Sequence, residues 1–329
     1  MCAPFRVSSR GLPCHDGRSA MTTAKGTIRH NVANIGEVTL HYAETGPEQG
    51  TLVLLLHGFP EFWYCWKDIL PGLGETYHAV APDMRGYNLS DKPDGVEAYH
   101  IRHLMQDVLD LADHFNAKKF YLVAHDWGAA IAYAVAIAHP ERLQGLVILN
   151  GAHPWIFAEL LNRHAGQIAS SQYIAAFRDP EAEAKLLAND SDWLLDWTFR
   201  PHLEQGRMTD ADIAAYRAAW AEPGAMTAML NYYRATPLNP ATEETFGKGS
   251  GLDPARFMVH VPTLVLWGEA DEALQVANLE GLEDFIPDLR IIRLPGISHW
   301  VTHEAPERTL TEISAFINAQ ESAKKRGKA

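Results

Sequence analysis

Cysteine is scarce in this chain: Cys2, Cys14 and Cys65 are the only three among 329 residues. Three scattered thiols exclude a disulfide framework and a thiolate metal site, and they suit a reducing cytoplasm. Positive charge is also in short supply. Lys and Arg number 28 against 41 Asp and Glu, a net charge of -13, which argues against nucleic acid and anionic membrane as partners. Apolar runs such as Leu52 to Leu56 and Ala129 to Ala138 fall short of the ~20 residues that span a bilayer. Gly-x-Ser-x-Gly occurs nowhere, which disfavours a serine esterase. Internal repeats and low-complexity tracts are missing as well.

What remains, 47% hydrophobic and 21% charged residues, describes a soluble chain able to bury a sizeable core. Residues 1–24, with Arg6, Arg10, Arg18 and the single acid Asp16, read as a disordered extension. A transit-peptide reading lacks amphipathic spacing. Residues 323–329 read as a solvated basic tail.

Between these ends strands alternate with helices. Thr27 to Ile35, Val38 to Glu44, Leu52 to Leu56, His78 to Ala81, Phe120 to Val123 and Leu143 to Leu149 carry strand patterns. Helices are expected from Trp63 to Leu73 and from Tyr99 to Phe115. This predicts an α/β fold, mostly a parallel sheet with helices on both faces. From Pro154 to Leu252 the spacing turns helical, at Ala182 to Leu187, Trp193 to Trp197, Asp210 to Trp220 and Ala225 to Tyr233. Sheet logic resumes at Pro262 to Trp267 and Leu289 to Leu294, with helices from Leu274 and Glu307. The expected organisation is core residues 25–153, an inserted helical lid (cap) over 154–252, and core residues 253–322.

Asp126 is the residue that suggests chemistry. In Leu122-Val-Ala-His-Asp-Trp-Gly-Ala-Ala-Ile131 it stands where a strand turns sharply into a helix, with small Ala124 and Gly128 beside it. That is a nucleophile elbow with a carboxylate in the serine's seat. Such a carboxylate attacks an sp3 carbon and becomes an ester.

A triad on such an elbow follows the order nucleophile, acid, base. Trp267-Gly-Glu-Ala-Asp-Glu-Ala-Leu274 lies just past a buried strand, at the edge where open α/β sheets bind ligands. Asp271 is the preferred acid there, over Glu269 and Glu272. His299, in the loop Pro295-Gly-Ile-Ser-His-Trp300 after the last strand, is the preferred base over His303. The backbone N–H groups of Trp127 and of Phe59, in His57-Gly-Phe-Pro60, are the candidate oxyanion donors.

Three runs, His57-Gly-Phe-Pro-Glu-Phe-Trp-Tyr64, Asp83-Met-Arg-Gly-Tyr-Asn-Leu-Ser-Asp-Lys-Pro93 and His125-Asp-Trp-Gly128, resemble the epoxide hydrolase branch of the α/β-hydrolase superfamily. The resemblance covers Thr27 to Asn318 and departs at Ala124 and Asn88, where glycine is common. It implies an enzyme that turns an epoxide and water into a vicinal diol through an ester on Asp126, with no metal or organic cofactor and a small apolar epoxide as its partner. It also implies two tyrosine acids in the lid. Asn231-Tyr-Tyr-Arg234 matches the family's second tyrosine at Tyr233, and Tyr173-Ile-Ala-Ala-Phe-Arg-Asp-Pro180 matches the first at Tyr173, with Arg178 in place of glutamine. His57, Pro60, Trp63, Phe177 and Trp300 are the candidate substrate contacts. The alternative is a haloalkane or haloacetate dehalogenase with the same aspartate. Phe59 has no side-chain donor for a halide, and the Asp-Arg-x-x-Arg clamp of haloacetate enzymes is missing from Asp126-Trp-Gly-Ala-Ala130.

Overall fold

Runs of Leu, Val, Ile and Ala pair into one sheet whose central strands carry apolar side chains on both faces. In the computed structural model, which describes residues 26–327, the strands are β1 (Arg29–Asn34), β2 (Thr39–Thr45), β3 (Leu52–Leu56), β4 (His78–Pro82), β5 (Phe120–His125), β6 (Leu143–Leu149), β7 (Thr263–Gly268) and β8 (Leu289–Leu294). Their order across the sheet is β1-β2-β4-β3-β5-β6-β7-β8. The β1–β2 and β2–β4 pairings are antiparallel, and every later pairing is parallel.

Alternation along the strands divides the core into two layers. Leu54, Leu56, Leu122, Leu146 and Ile148 pack on the side of helices Ile101–His114 and Trp127–Ala138. Val53, Leu55, Val123, Val147 and Leu264 face the other way, toward Leu70, Ile313 and Phe316. Such two-sided burial is why β3 and β5 read as unbroken apolar runs.

Several elements depart from the sequence expectation, each for a local reason. The helix expected from Trp63 to Leu73 is a 3-10 turn, Trp63–Trp66, followed by one helical turn, Leu70–Leu73, because Pro71 can only begin a helix. The helix expected from Leu274 is replaced by short turns at Val276–Leu279 and Leu282–Phe285, separated by Gly281 at φ 77°. The helix Pro306–Gly327 runs on into residues 323–327 of the segment expected to be a solvated tail. Lys324 is held there by Tyr121 Oη at 3.1 Å and Glu321 Oε1 at 3.2 Å, and a cation in a last turn suits the helix dipole. The expected extension over residues 1–24 lies outside the described residues.

Between β6 and β7 the chain makes a run of helices from Pro154–Arg163 to Ala225–Ala235. The expected Ala182 and Trp193 segments are joined by a left-handed turn, with Asn189, Asp190 and Ser191 at φ 51°, 58° and 60°. Arg217 braces it by pairing with Asp190 and Asp192. No helix among the described residues is long and apolar enough to cross a membrane.

The helix Trp127–Ala138 presses closely on the end of β3. A Cβ at Gly128 would lie 2.5 Å from the His57 carbonyl oxygen and 2.6 Å from that of Leu56, both rigid backbone atoms. Gly128→Ala should therefore destabilise the fold by about 1–3 kcal/mol. Urea denaturation measures this, and an unchanged midpoint would contradict the packing described.

Candidate active site

β5 ends at His125 and the helix begins at Trp127, leaving one residue to make the corner. Asp126 makes it with φ 49° and ψ -118°, a conformation costing of order 1–3 kcal/mol in a residue with a Cβ. Its carboxylate is thereby raised above the carboxyl edge of the sheet. Oδ1 accepts a hydrogen bond from Phe59 N–H at 2.8 Å. Gly58 permits this approach, since a Cβ there would lie 2.3 Å from Asp126 Cβ and Oδ1. The Phe59–Pro60 peptide is cis. Trp127 N–H sits in the first turn of the helix, where backbone donors lack intrahelical partners.

His299 and Asp271 arrive from the loops after β8 and β7. His299 Nε2 lies 3.6 Å from Asp126 Oδ2, and its Nδ1 lies 2.7 Å from Asp271 Oδ2. Asp271 Oδ1 accepts from the N–H groups of Ala273 and Leu274, both at 2.8 Å. Asn150 supplies a further donor to Asp271 Oδ2 at 2.7 Å, and it clasps Gly268 through both its N–H and its carbonyl oxygen. Burial works against a charged His299, but the carboxylates of Asp271 and Asp126 outweigh it and raise its pKa well above the usual value. Burial likewise pushes Asp126 up, yet His299, His125 and the Phe59 N–H hold it below the ordinary carboxylate range.

Tyr173 and Tyr233, from the inserted helices, stand with Asp126 around two adjoining cavities. Their rings meet edge to face at 6.0 Å, and Tyr233 also packs on Phe59 at 5.3 Å and Trp127 at 5.2 Å. Both phenols are pushed upward, first by burial and then by the charge of Asp126, so both keep their protons.

The expected substrate contacts divide. Trp300 lines the larger cavity. Phe177 packs behind it against Phe59 and Tyr233. His57, Pro60 and Trp63, also expected as substrate contacts, line neither cavity. His57 Nε2 accepts from Met84 N–H at 3.0 Å and its Nδ1 donates to Gly58 O at 2.9 Å, so the ring ties two loops together. The Pro60 carbonyl oxygen accepts from Trp220 Nε1 at 2.6 Å. Trp63 packs on His30 at the outer face of β1. The other sequence candidates are engaged elsewhere, Glu269 pairing with Arg293 and His303 with Glu61.

The sequence reading missed the support under the histidine. Glu61, completely buried, pairs with His125 Nδ1 at 2.9 Å and His303 Nε2 at 2.7 Å, and His125 Nε2 donates to the carbonyl oxygen of His299 at 2.9 Å. The available signal was an acid in an otherwise apolar run, Phe59-Pro-Glu-Phe-Trp63. Asn150 was missed too, although a polar residue directly after a buried strand marked the same sheet edge.

Against this geometry the comparisons with known proteins are specific. The chain matches the alpha/beta hydrolase fold family model over residues 51–306. It is similar to the AB hydrolase superfamily protein YfhM of Bacillus subtilis (strain 168), 38% identical over 298 residues, covering 89% of this chain and 99% of that protein. It is also similar to Epoxide hydrolase 2 of Caenorhabditis elegans, 33% identical over 294 residues, covering 88% and 80% respectively. A crystal structure of the Bacillus megaterium epoxide hydrolase in complex with an inhibitor superposes with a TM-score of 0.81 at 33% identity, over 88% of this chain and 100% of that one. The chain therefore belongs to the α/β-hydrolase superfamily and, within it, to the epoxide hydrolase family.

Burial pushes the Glu61 carboxyl up, and its bonds to His125 and His303 more than offset this, leaving it far below the usual range. A depressed carboxylate stabilises the fold fully above its unfolded pKa of about 4.3, and this contribution is lost as pH falls toward the folded value. Glu61→Gln should cost about 3 kcal/mol at neutral pH, because two buried histidines lose their anion. It should also flatten the loss of stability below about pH 4.5. Urea unfolding at neutral pH and near pH 3.5 reads both effects, and an acid limb as steep as wild type would contradict them.

Proposed function

We propose that the protein is an epoxide hydrolase that opens its substrate through an ester on Asp126 and releases a vicinal diol. The observation that carries this reading is the placement of Asp126 between His299 and the two tyrosines of the helical insertion, which acts as the lid. Asp126 Oδ2 is the attacking oxygen, since Oδ1 is held by Phe59 N–H. As the new C–O bond forms, the epoxide C–O bond breaks and its electron pair moves to the ring oxygen. That oxygen takes a proton from Tyr233 or Tyr173, whose raised pKa values keep them protonated until the alkoxide develops.

Ester formation removes the charge of Asp126. His299 then faces one carboxylate instead of two, so its pKa falls and the neutral base becomes more populated. It takes a proton from water, which attacks the Asp126 carbonyl carbon, and the N–H groups of Phe59 and Trp127 hold the oxyanion. The tetrahedral species collapses with loss of the diol, and the proton left on the enzyme returns to the phenolate. Halide displacement is disfavoured because Phe59 offers no side-chain N–H. The buried free thiol of Cys65 is compatible with a cytoplasmic location.

His299→Gln should form the ester and fail to hydrolyse it, so intact-mass measurement should find one substrate mass added to the protein. An unmodified protein after prolonged incubation would overturn the ester route. Wild type in a single turnover in heavy-oxygen water should give a first diol free of solvent label, because its oxygen comes from Asp126. Tyr233→Phe should slow ester formation about 10²-fold or more in stopped-flow tryptophan fluorescence, while Asp126→Asn should abolish it.

A further inference from the structure

The site is asymmetric in a way that bears on substrate class. Asp126, Tyr173 and Tyr233 border both cavities, so an epoxide held by them extends one substituent into each. The smaller cavity, about 90 Å³, is walled by Trp127, Ala130, Phe157, Ile174, Leu238 and Leu274. It offers a substituent almost nothing but carbon. The larger, about 670 Å³, has a polar wall formed by His202, Gln205, Arg207, Ser298 and Glu304.

The groups on that wall differ in what they still require. Glu304 is satisfied: it accepts from Ser298 N–H at 2.9 Å and Ser298 Oγ at 2.7 Å and pairs with Arg207 at 3.2 Å. His202 is not. It is 3% exposed, and its Nδ1 is buried without a hydrogen-bond partner, 3.6 Å from Glu304 Oε1. Nδ1 is turned toward Glu304, and His202 lines the cavity with no side-chain hydrogen bond made by its Nε2 among the described residues, so Nε2 is the ring nitrogen free to meet a ligand there. Burial pushes the His202 pKa down to about 4, Glu304 working the other way, so the ring is neutral at physiological pH. A neutral imidazole whose Nδ1–H faces a carboxylate presents a lone pair at Nε2. A lone pair in a sheltered wall is completed by an O–H donor, and it repels an anion. Leaving such a site unmatched wastes the hydrogen bond and favours the ligand that supplies it.

We propose that the wide cavity is a subsite for an uncharged, hydroxyl-bearing substituent of the epoxide, its O–H donating to His202 Nε2, while the narrow cavity takes a short alkyl group. This rests on the epoxide hydrolase reading and narrows it to hydroxylated epoxides.

The test compares three internal epoxides of equal chain length, each with an ethyl group on one side and a chain ending in hydroxyl, methyl or carboxylate on the other. For wild type, kcat/KM for the hydroxyl substrate should exceed that for the methyl substrate by about fivefold or more. His202→Phe should remove or invert that preference, and His202→Gln, which restores an acceptor oxygen, should keep part of it. Equal wild-type values, a preference for the carboxylate, or a preference unchanged in His202→Phe would overturn the proposal, and the wild-type ratio decides even if the variants fail to fold. Binding of the corresponding triol and diol to wild type, followed by the fluorescence of Trp197 and Trp300 on the same cavity, separates the two readings. If no epoxide is turned over, the activity reading fails, and the triol must still bind at least fivefold more tightly than the diol for the subsite to stand.

Discussion

Holding a largely buried carboxylate at a strained corner is the constraint on which the rest of this structure depends. An unpaired ion in that position would cost several kcal/mol, and the backbone at Asp126 adds its own strain. Each neighbour answers one part of that cost. Gly58 and Gly128 give up side chains so that two backbones can close on the corner. Phe59 N–H and His299 supply the counter-dipole and the counter-charge. The requirement then passes outward, from His299 to Asp271, from Asp271 to Asn150 and two backbone N–H groups, and from the His299 carbonyl to His125 and Glu61. A long chain of polar groups is buried, and nearly every member is satisfied.

This arrangement ties reactivity to charge balance. Two carboxylates share one imidazole, so any event that neutralises one of them changes the basicity of the ring toward the other. A single histidine can therefore support two states of the site without a conformational change, which suits a scaffold whose strands and loops are closely packed.

Most strands were legible because two-sided burial writes itself as apolar runs, and the corner at Asp126 was legible because its cause is local: a buried strand, one polar residue, then small residues. Asp271 and His299 stand beside Asp126 because all three follow parallel strands at the same sheet edge, which their sequence positions already suggested. The network of Glu61, His125 and His303 was not legible. Its members lie 64 and 242 residues apart, and only the sheet order brings them together. His57 and Trp63 misled for a different reason, since proximity in sequence to Phe59 does not say which way a ring turns. The break between Leu187 and Trp193 was legible, but not that Asn189, Asp190 and Ser191 would fill it in the left-handed region.

The strands that bracket the helical insertion, β6 and β7, are direct neighbours in register, Leu146 opposite Thr263 and Leu149 opposite Leu266. The chain leaves the sheet and returns to it one strand spacing away, about 4.8 Å. Lengthening or exchanging what lies between strains neither strand, and the entropy of closing a longer excursion grows only slowly. Selection can therefore redraw the walls that greet a substrate while the loops carrying Asp126, Asp271 and His299 stay fixed, so new substrate ranges are open to this scaffold without reinvention of its chemistry.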